Sequence, residues 1–552
     1  MNKILSKYTI ISLLAIIALS CNEDFLDLRP IGEQNSGTFY ITQAAAEQSV
    51  IAAYSQYNNV AFDKDLIMAA DVVSDDAEAG GEYVNEVPSY ENFNRMTPSP
   101  TAGELENVYG SLFKSINFCN IALKNLPDIK ELDESADPVV IDRLIAECKF
   151  LRAIGYSYLV MHFGGVPLVD HVLGADEYEQ PKAELKTLYE FIENDLKDAI
   201  EVLPERSVFG TENVGRASKG AAKSLMARIL LFESSYARYY PGDERFTGMT
   251  ERWADVLNYA EQVINSGEYS LPGMNGERFN TWRSSNTNAY RYLFTSNGDN
   301  STESIFEIQC IEDGKGWAAA RGNSMCQYIS ARRIIDDSGN PTNSDYWGLD
   351  LPTHSLVDEF EEGDPRLRAG IAIEGNGDSI EIAGGYRYLI SYDKSVTNTY
   401  NTKYESSAAE FKDVGGPWHS APMNIKLIRY ADVLLMAAEA AVMLNQNDKA
   451  LTYINQIRTR ARLCGDEGNT VPADLTGTVT LDNIIHERRV ELYLEGHRYY
   501  DLVRWNLATQ YLNHSTVDGY IVIFESPKND FLPLPQYEIN VNSNLEQYPG
   551  WN

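Results

Sequence analysis

Residues Ile428–Ala461 read IRYADVLLMAAEAAVMLNQNDKALTYINQIRTRA, two apolar-patterned segments joined by a short polar turn at Asn445–Asp448. Apolar residues recurring every three to four positions give each segment one face that can be buried as a helix. The unit is 34 residues long, the period of a tetratricopeptide repeat, and Ala437, Ala438 and Ala441 let paired helices approach closely. The full repeat signature is absent, so the match is degenerate. Upstream, Phe150, Leu151, Ile154, Tyr158 and Met161 mark one face of another helix, which Gly164, Gly165 and Pro167 end. Ala222, Leu225, Met226, Ile229 and Leu230 mark a further one. Trp253, Val256, Leu257, Ala260, Val263 and Ile264 mark the next, with Gly267 where a C-terminal cap belongs. Helical periodicity fills 40–266 and returns over 425–512. The pattern predicts a mainly α protein with three or four helical hairpins scattered through the chain rather than a tandem array.

Between these regions, residues 270–424 are rich in Gly, Asn, Ser and aromatics and poor in helical pattern. Short strands are expected at Ser304–Gln309, Tyr386–Tyr392 and, further on, Tyr520–Phe524. A long irregular stretch within a helical protein is more often functional than idle.

The N-terminus predicts where the protein resides. Lys3 and Lys7 precede an apolar run from Tyr8 to Leu19, about a dozen residues against the ~20 that a transmembrane helix needs. Ala18 and Ser20 flank Leu19 just before Cys21, which resembles the lipobox at which bacteria acylate a cysteine and cleave ahead of it. Residues 1–20 then read as a lipoprotein signal and 21–37 as a lipidated tether, and acyl burial at about 0.8 kcal/mol per CH₂ anchors the chain. Asn22, Glu23 and Asp24 resemble the surface-export signal of Bacteroidetes lipoproteins. The formal charge of −34 becomes −36 once Lys3 and Lys7 leave, which argues against nucleic acid and strongly anionic polymers and for neutral or cationic ligands. An acidic surface also serves solubility alone. Beyond Cys21 the chain has Cys119, Cys148, Cys310, Cys326 and Cys464, an odd number, so at least one thiol is expected to be free.

Catalytic and metal signatures are missing. The seven histidines show no ligand spacing, and HERR at His486–Arg489 lacks the second histidine of HExxH. No phosphate loop and no GxSxG elbow occur. No cofactor or metal is expected. Glu487, Glu491 and Glu495, at i, i+4 and i+8, share one helix face, with Arg488, Arg489, Arg498 and Arg504 near in sequence. Two readings compete: structural ion pairing, or a glycosidase acid/base pair, whose carboxylates stand about 5–10 Å apart. Ion pairing is the expectation here, and Asp75 and Asp76 read similarly, as turn or packing residues near a binding loop.

Eight segments, in family order, resemble the SusD/RagB family of surface lipoproteins. They are DFLDLRP (Asp24–Pro30), DVVSDDA (Asp71–Ala77), FLRAIGYSYLVMHFGGVPLV (Phe150–Val169), ESIFEIQ (Glu303–Gln309), GDPR (Gly363–Arg366), NIKLIRYADVLLMAAEA (Asn424–Ala440), ERRVELYLEGHRYYDLVRW (Glu487–Trp505) and FLPLPQYEINVNSNLEQYPGW (Phe531–Trp551). The resemblance implies four tetratricopeptide-like hairpins scaffolding an irregular, loop-rich ligand-binding lobe with a few short strands. Residues 38–269 then form an N-terminal helical region, 270–424 the lobe, and 425–552 a C-terminal SusD/RagB region. It also implies a non-catalytic protein, lipid-anchored on the outer membrane and facing outward. Its partner is a SusC-like TonB-dependent β-barrel transporter, and its ligand an oligosaccharide or sometimes a peptide.

Sugars offer C–H faces that stack on flat rings and rims that need hydrogen bonds, which suits Tyr and Trp. The chain has 34 Tyr against 19 Phe, and tyrosines such as Tyr156, Tyr158 and Tyr430 fall within helices, where they are core. Loop aromatics are the ligand-binding candidates: Tyr83, Tyr90, Trp282, Tyr290, Tyr292, Trp317, Tyr346 and Trp347. Asn85, Asn92 and Arg321 are their polar companions.

Overall fold

The computed structural model describes residues 39–59, 62–281, 285–311, 321–344, 346–382, 386–405 and 421–551. Cys21, the tether, Trp282 and Trp317 lie outside the described residues.

The scaffold consists of helices α1 (Gln43–Ser55), α2 (Gly103–Leu132), α3 (Pro138–Phe163), α4 (Leu185–Val202), α5 (Lys219–Tyr239), α6 (Trp253–Ile264), α7 (Tyr430–Met443), α8 (Asn447–Leu463) and α9 (Leu481–Leu492). Each packs on the next in space: α2 on α3, α3 on α4, and so on to α6, which packs on α7, and α7 packs in turn on α8 and α9. The α6–α7 contact spans residues 265–429, which leave the stack and return. Hairpins scattered along the chain therefore form one continuous stack.

Local chemistry sets the helix ends. Asp137 caps α3 by accepting from the Val139 N–H, with Pro138 at the first helical position, where a missing N–H costs nothing. Gly164 ends α3 at φ +71°, and a Cβ there would sit 2.8 Å from the Phe531 ring. Asn445, at φ +57°, turns the chain between α7 and α8, a conformation Asn tolerates better than most residues. Helix α7 is enclosed by α5, α6, α8 and α9, and Ala437, Ala438, Ala440 and Ala441 are fully buried. A helix buried on all sides is apolar all round, which accounts for the near-continuous apolar run in the sequence. Its two acidic residues are answered internally. Asp432 pairs with Arg228 and Arg488, and Glu439 accepts two bonds from Arg504 and one from the Trp505 indole.

Strand β1 (Ala77–Gly80) pairs antiparallel with β5 (Leu349–Pro352), and β2 (Ser304–Ile308) with β10 (Ile425–Arg429). Strands β3 (Arg333–Ile335), β4 (Pro341–Asn343), β7 (Ser379–Ile382) and β8 (Tyr386–Ile390) form a sheet in the order β4-β3-β8-β7, while β6 (Ile371–Ile373) pairs with β9 (Thr399–Asn401). Two of the three expected strands are thus present as β2 and β8. The third is not: Tyr520–Phe524 makes only an isolated Ser515–Ile521 bridge. Val522 and Phe524 point inward and Ile521 and Ile523 outward, so the alternation is real, but no described strand lies alongside to complete a ladder.

One apolar core runs through the helices and reaches the C-terminal segment at Leu545, while a smaller second core (Ala331, Ile334, Tyr346, Leu351, Ala372, Ile380, Ile390, Tyr392, Tyr400) lies among the strands of the 270–424 stretch. Cys119, Cys148, Cys310, Cys326 and Cys464 are all buried, behaving as small hydrophobes.

Candidate ligand-binding face

The β1–β5 pairing builds the face. Its register sets Ala77 opposite Pro352 and Gly80 opposite Leu349, so the chain leaving β1 runs beside the chain entering β5. The Gly81 N–H donates to the Gly348 carbonyl at 2.8 Å. Gly80 has φ +82°, and a Cβ on it would lie 2.6 Å from that same carbonyl, so only glycine permits this approach. As a result Tyr83 and Trp347, 264 positions apart in numbering, are carried on adjoining loops, with exposures of 60% and 40%.

Trp347 is supported from below. Its N–H donates to the Gln327 carbonyl at 3.1 Å, and its ring meets the buried Tyr328 edge to face at 5.3 Å. The Lys64 ammonium lies 5.4 Å from the Tyr328 ring on the inner side. Charged groups rim the aromatics. Arg332 donates to Glu86 at 2.9 Å and to the Trp347 carbonyl at 3.4 Å, and Glu82 lies 3.6 Å from both Arg332 and Lys394. Asn85, exposed at φ +66°, completes the loop. Open ring surface with hydrogen-bonding groups at its margin can hold a polyhydroxylated ligand. Glu82, Glu86, Arg332 and Lys394 were missed in the sequence because charged loop residues are common and only pairing through the fold distinguishes these.

The remaining candidates are placed elsewhere. Tyr90 is in the core, its hydroxyl accepting from Lys64 at 2.9 Å and donating to Asp65 at 3.2 Å. Tyr290 is fully buried and donates to the Glu491 carbonyl at 2.6 Å, and Tyr346 belongs to the second core. These three rings present no face to solvent, a correction to their reading as loop aromatics: the short helices Pro88–Asn94 and Ala289–Leu293 and the β5 approach turn them inward. Tyr292 is half-buried and stacked on Phe279 at 4.2 Å. Asn92 is half-buried on the helix that carries Tyr90, and its carbonyl accepts from Thr97. Arg321 is exposed, its carbonyl accepting from Ile311 and from the Asn58 side chain.

The glutamate stripe is interior. Glu487 and Glu491 are fully buried. With Glu303, Asp364 and Glu495 they make five carboxylates facing five cations, Arg366, Arg429, Arg458, Arg460 and Lys403. Burial pushes the Glu491 carboxyl up, but Arg460, Arg429 and Arg366 together outweigh it and hold it below the usual range. Glu495 ends at about 2 by the same balance, with Arg429 and Lys403 overcoming burial. Glu491 and Glu495, so enclosed and ionised, are poorly placed to protonate a glycosidic oxygen. The expected ion pairing is present, but with different partners. Arg488 serves Asp432 and Asp501, Arg489 and Arg498 serve Asp75 and Asp76, and Arg504 serves Glu439 and Asp501. Asp75 and Asp76 are thereby buried ion-pair residues at the root of β1. Among the described residues no group of three or more His, Cys, Asp or Glu is arranged to hold a metal ion, and no helix is long and apolar enough to cross a membrane.

Comparison with known proteins matches both halves of this architecture. A family model described as the SusD family covers residues 302–551, and one described as starch-binding, associating with the outer membrane, covers residues 24–231, together well over half the chain. The starch-binding protein SusD of Bacteroides thetaiotaomicron is 26% identical over 594 positions, covering 98% of this chain and 98% of that protein. A laminarin binding SusD-like protein of solved structure superposes with a TM-score of 0.72 at 26% identity, covering 92% of this chain and 99% of the other. Surface glycan-binding protein A from Bacteroides thetaiotaomicron, solved in complex with laminarihexaose, shares the fold at a TM-score of 0.71 and 23% identity, covering 92% and 99%.

Proposed function

The chain belongs to the SusD family, and we propose that it is a non-catalytic surface lipoprotein that captures an oligosaccharide and hands it to a SusC-like TonB-dependent transporter. The observation that carries the reading is the β1–β5 junction, where Tyr83 and Trp347 stand exposed on adjoining loops within a rim of Glu82, Glu86, Arg332 and Lys394. The names of the relatives, starch-binding and laminarin binding, support a polysaccharide-derived ligand. Trp347 is the stronger anchor because Tyr328 packs edge to face against its ring while its backbone N–H is tied to the Gln327 carbonyl, so little side-chain freedom is lost on binding.

Isothermal titration against a panel of oligosaccharides is expected to show binding to at least one. Trp347→Ala should weaken that binding by roughly 2 kcal/mol, about 30-fold, with Tyr83→Ala costing less. Peptide binding with no glycan bound, or unchanged affinity in the Trp347→Ala protein, would count against the reading. In cells, Cys21→Ala should release the protein from the membrane and leave its affinity in solution unaltered. A tethered receptor works at high effective concentration beside its transporter and tolerates weak ligand binding. Loss of binding on Cys21→Ala would contradict a tether independent of the body.

A further inference from the structure

A second surface feature runs against the net charge of the protein. An open cleft of about 350 Å³ lies between the segment at Asn286–Arg291 and the segments at Arg368–Asp378 and Arg387–Ile390. Its charged lining residues are Arg291, Arg368, Arg387 and Asp378, three cations against one anion on a chain whose formal charge is −34. The volume is at the lower end of small-molecule sites, and the buried Ile371 and Ile390 are among the lining residues.

The three guanidinium groups come from three separate elements. Arg291 lies on the helix Ala289–Leu293, whose cap residue Asn288 accepts from the Arg291 backbone N–H at 2.8 Å. Arg368 lies on the helix Pro365–Gly370, and Arg387 on β8. Their neutralisation is incomplete. Arg368 pairs with Asp378, and Arg291 reaches Glu405 at a long 3.4 Å, whereas exposed Arg387, set opposite Glu381 in the β7–β8 register, makes no ion pair among the residues whose side chains are described. Burial holds Arg291 below the usual arginine range, Glu405 only partly offsets this, and Arg387 nearby works in the same direction as burial. Three guanidinium groups around one cleft make it locally more cationic than the acidic exterior of the molecule.

We infer that this cleft is a subsite for a carboxylate, and that the oligosaccharide captured by this protein includes a uronic acid. The inference deepens the proposed function and rests on it. Guanidinium forks match a planar carboxylate with two parallel hydrogen bonds, and because the same fork also accepts tetrahedral oxyanions, a sulfated sugar is the discriminating control. Arg387 supplies the exposed fork and Arg291 the second charge beside it. The acidic exterior argues against anionic ligands on average, but here three arginines line one cleft.

The test measures the affinity of the full protein for uronic acid trisaccharides (galacturonate, glucuronate and mannuronate), neutral glucose trisaccharides and a sulfated neutral trisaccharide, at low and high salt. At least one uronide should bind tenfold or more tighter than the neutral sugars at low salt, and should weaken as salt screens the pair. Arg387→Gln, at an exposed position and so expected to keep the melting temperature, should lower uronide affinity at least fivefold and leave neutral-sugar affinity unchanged. Binding of neutral sugars with no uronide bound overturns the carboxylate subsite and leaves the glycan-binding reading standing. Binding of the sulfated sugar alone, or equal uronide affinity in wild type and Arg387→Gln, likewise overturns it. Failure of every sugar to bind sinks both.

Discussion

Glu491→Gln is expected to remove about 3–5 kcal/mol of stability, the cost of leaving buried charge uncompensated. The Glu491 carboxylate is fully buried and accepts from Arg366 and Arg429, each at 3.1 Å, and from Arg460. Arg366 keeps Asp364 and Glu487, and Arg429 keeps Glu303 and Glu495, but Arg460 is left with Glu303 alone. A loss of that size is a large share of the ~5–15 kcal/mol that holds a typical domain folded. The control is Glu361→Gln. Glu361 pairs with Arg458 at the margin of the same network and its side chain is 39% exposed, so about 1 kcal/mol or less is expected. Urea unfolding checks both: the midpoint should fall steeply for Glu491→Gln and barely for Glu361→Gln. Equal midpoints would mean that the network does not stabilise the stack. The same experiment bears on catalysis, since any loss of activity in a Glu491 variant would have to be separated from loss of the folded protein.

Asp350→Asn is expected to stabilise the protein above neutral pH and to have little effect in acid. Asp350 is fully buried in β5, three residues beyond Trp347. One carboxylate oxygen accepts from Asn401 at 2.8 Å, and the other has no hydrogen-bond partner among the described residues. Burial, assisted by the Asp76 charge, pushes its carboxyl up to about 7. Asp71 is raised in the same way, by burial first and then by Asp350. A folded-state pKa above the unfolded ~3.9 means that the folded protein holds the proton more tightly. The contribution is complete below pH ~3.9 and is lost as pH rises through about 7. Each pKa unit is worth about 1.4 kcal/mol, so ionisation at alkaline pH costs up to roughly 4 kcal/mol. Asparagine keeps the shape and still accepts from Asn401. It also suits the left-handed backbone at this position, φ +55°. Thermal melts of both proteins from pH 4 to 9 should therefore diverge with rising pH, and a pH-independent difference would refute the linkage.

The helical hairpins were legible because their signals are local. The 3.6-residue spacing in Phe150–Met161, the glycine at 164 and the polar turn at Asn445–Asp448 act within a few residues, and each ends up as read. The Tyr520–Phe524 strand shows the limit, since alternation marks which side chains face inward but a strand also needs a neighbour that pattern alone cannot supply. The aromatics show it again. Tyr83 and Tyr90 lie seven positions apart in one loop-rich segment, yet one is exposed and the other is bound into the core by Lys64 and Asp65. Ring type and loop composition are the same in both cases. What differs is the element packed over them.

By itself the sequence determined the family, the helical scaffold and the fact that Glu487, Glu491 and Glu495 share a face, because motif order and periodicity are properties of the chain. Tertiary structure alone decided which charges answer them. Neighbours in sequence such as Arg488 and Arg489 project from other sides of the same helix, so the partners came instead from Arg366, Arg429, Arg458 and Arg460. It also decided that Tyr83 and Trp347 stand on adjoining loops, and that three arginines line one cleft of a strongly acidic protein. The physical reason is common to all three: composition sums charges and rings over the whole chain, whereas ligands and ion pairs respond only to groups that folding brings within a few ångströms.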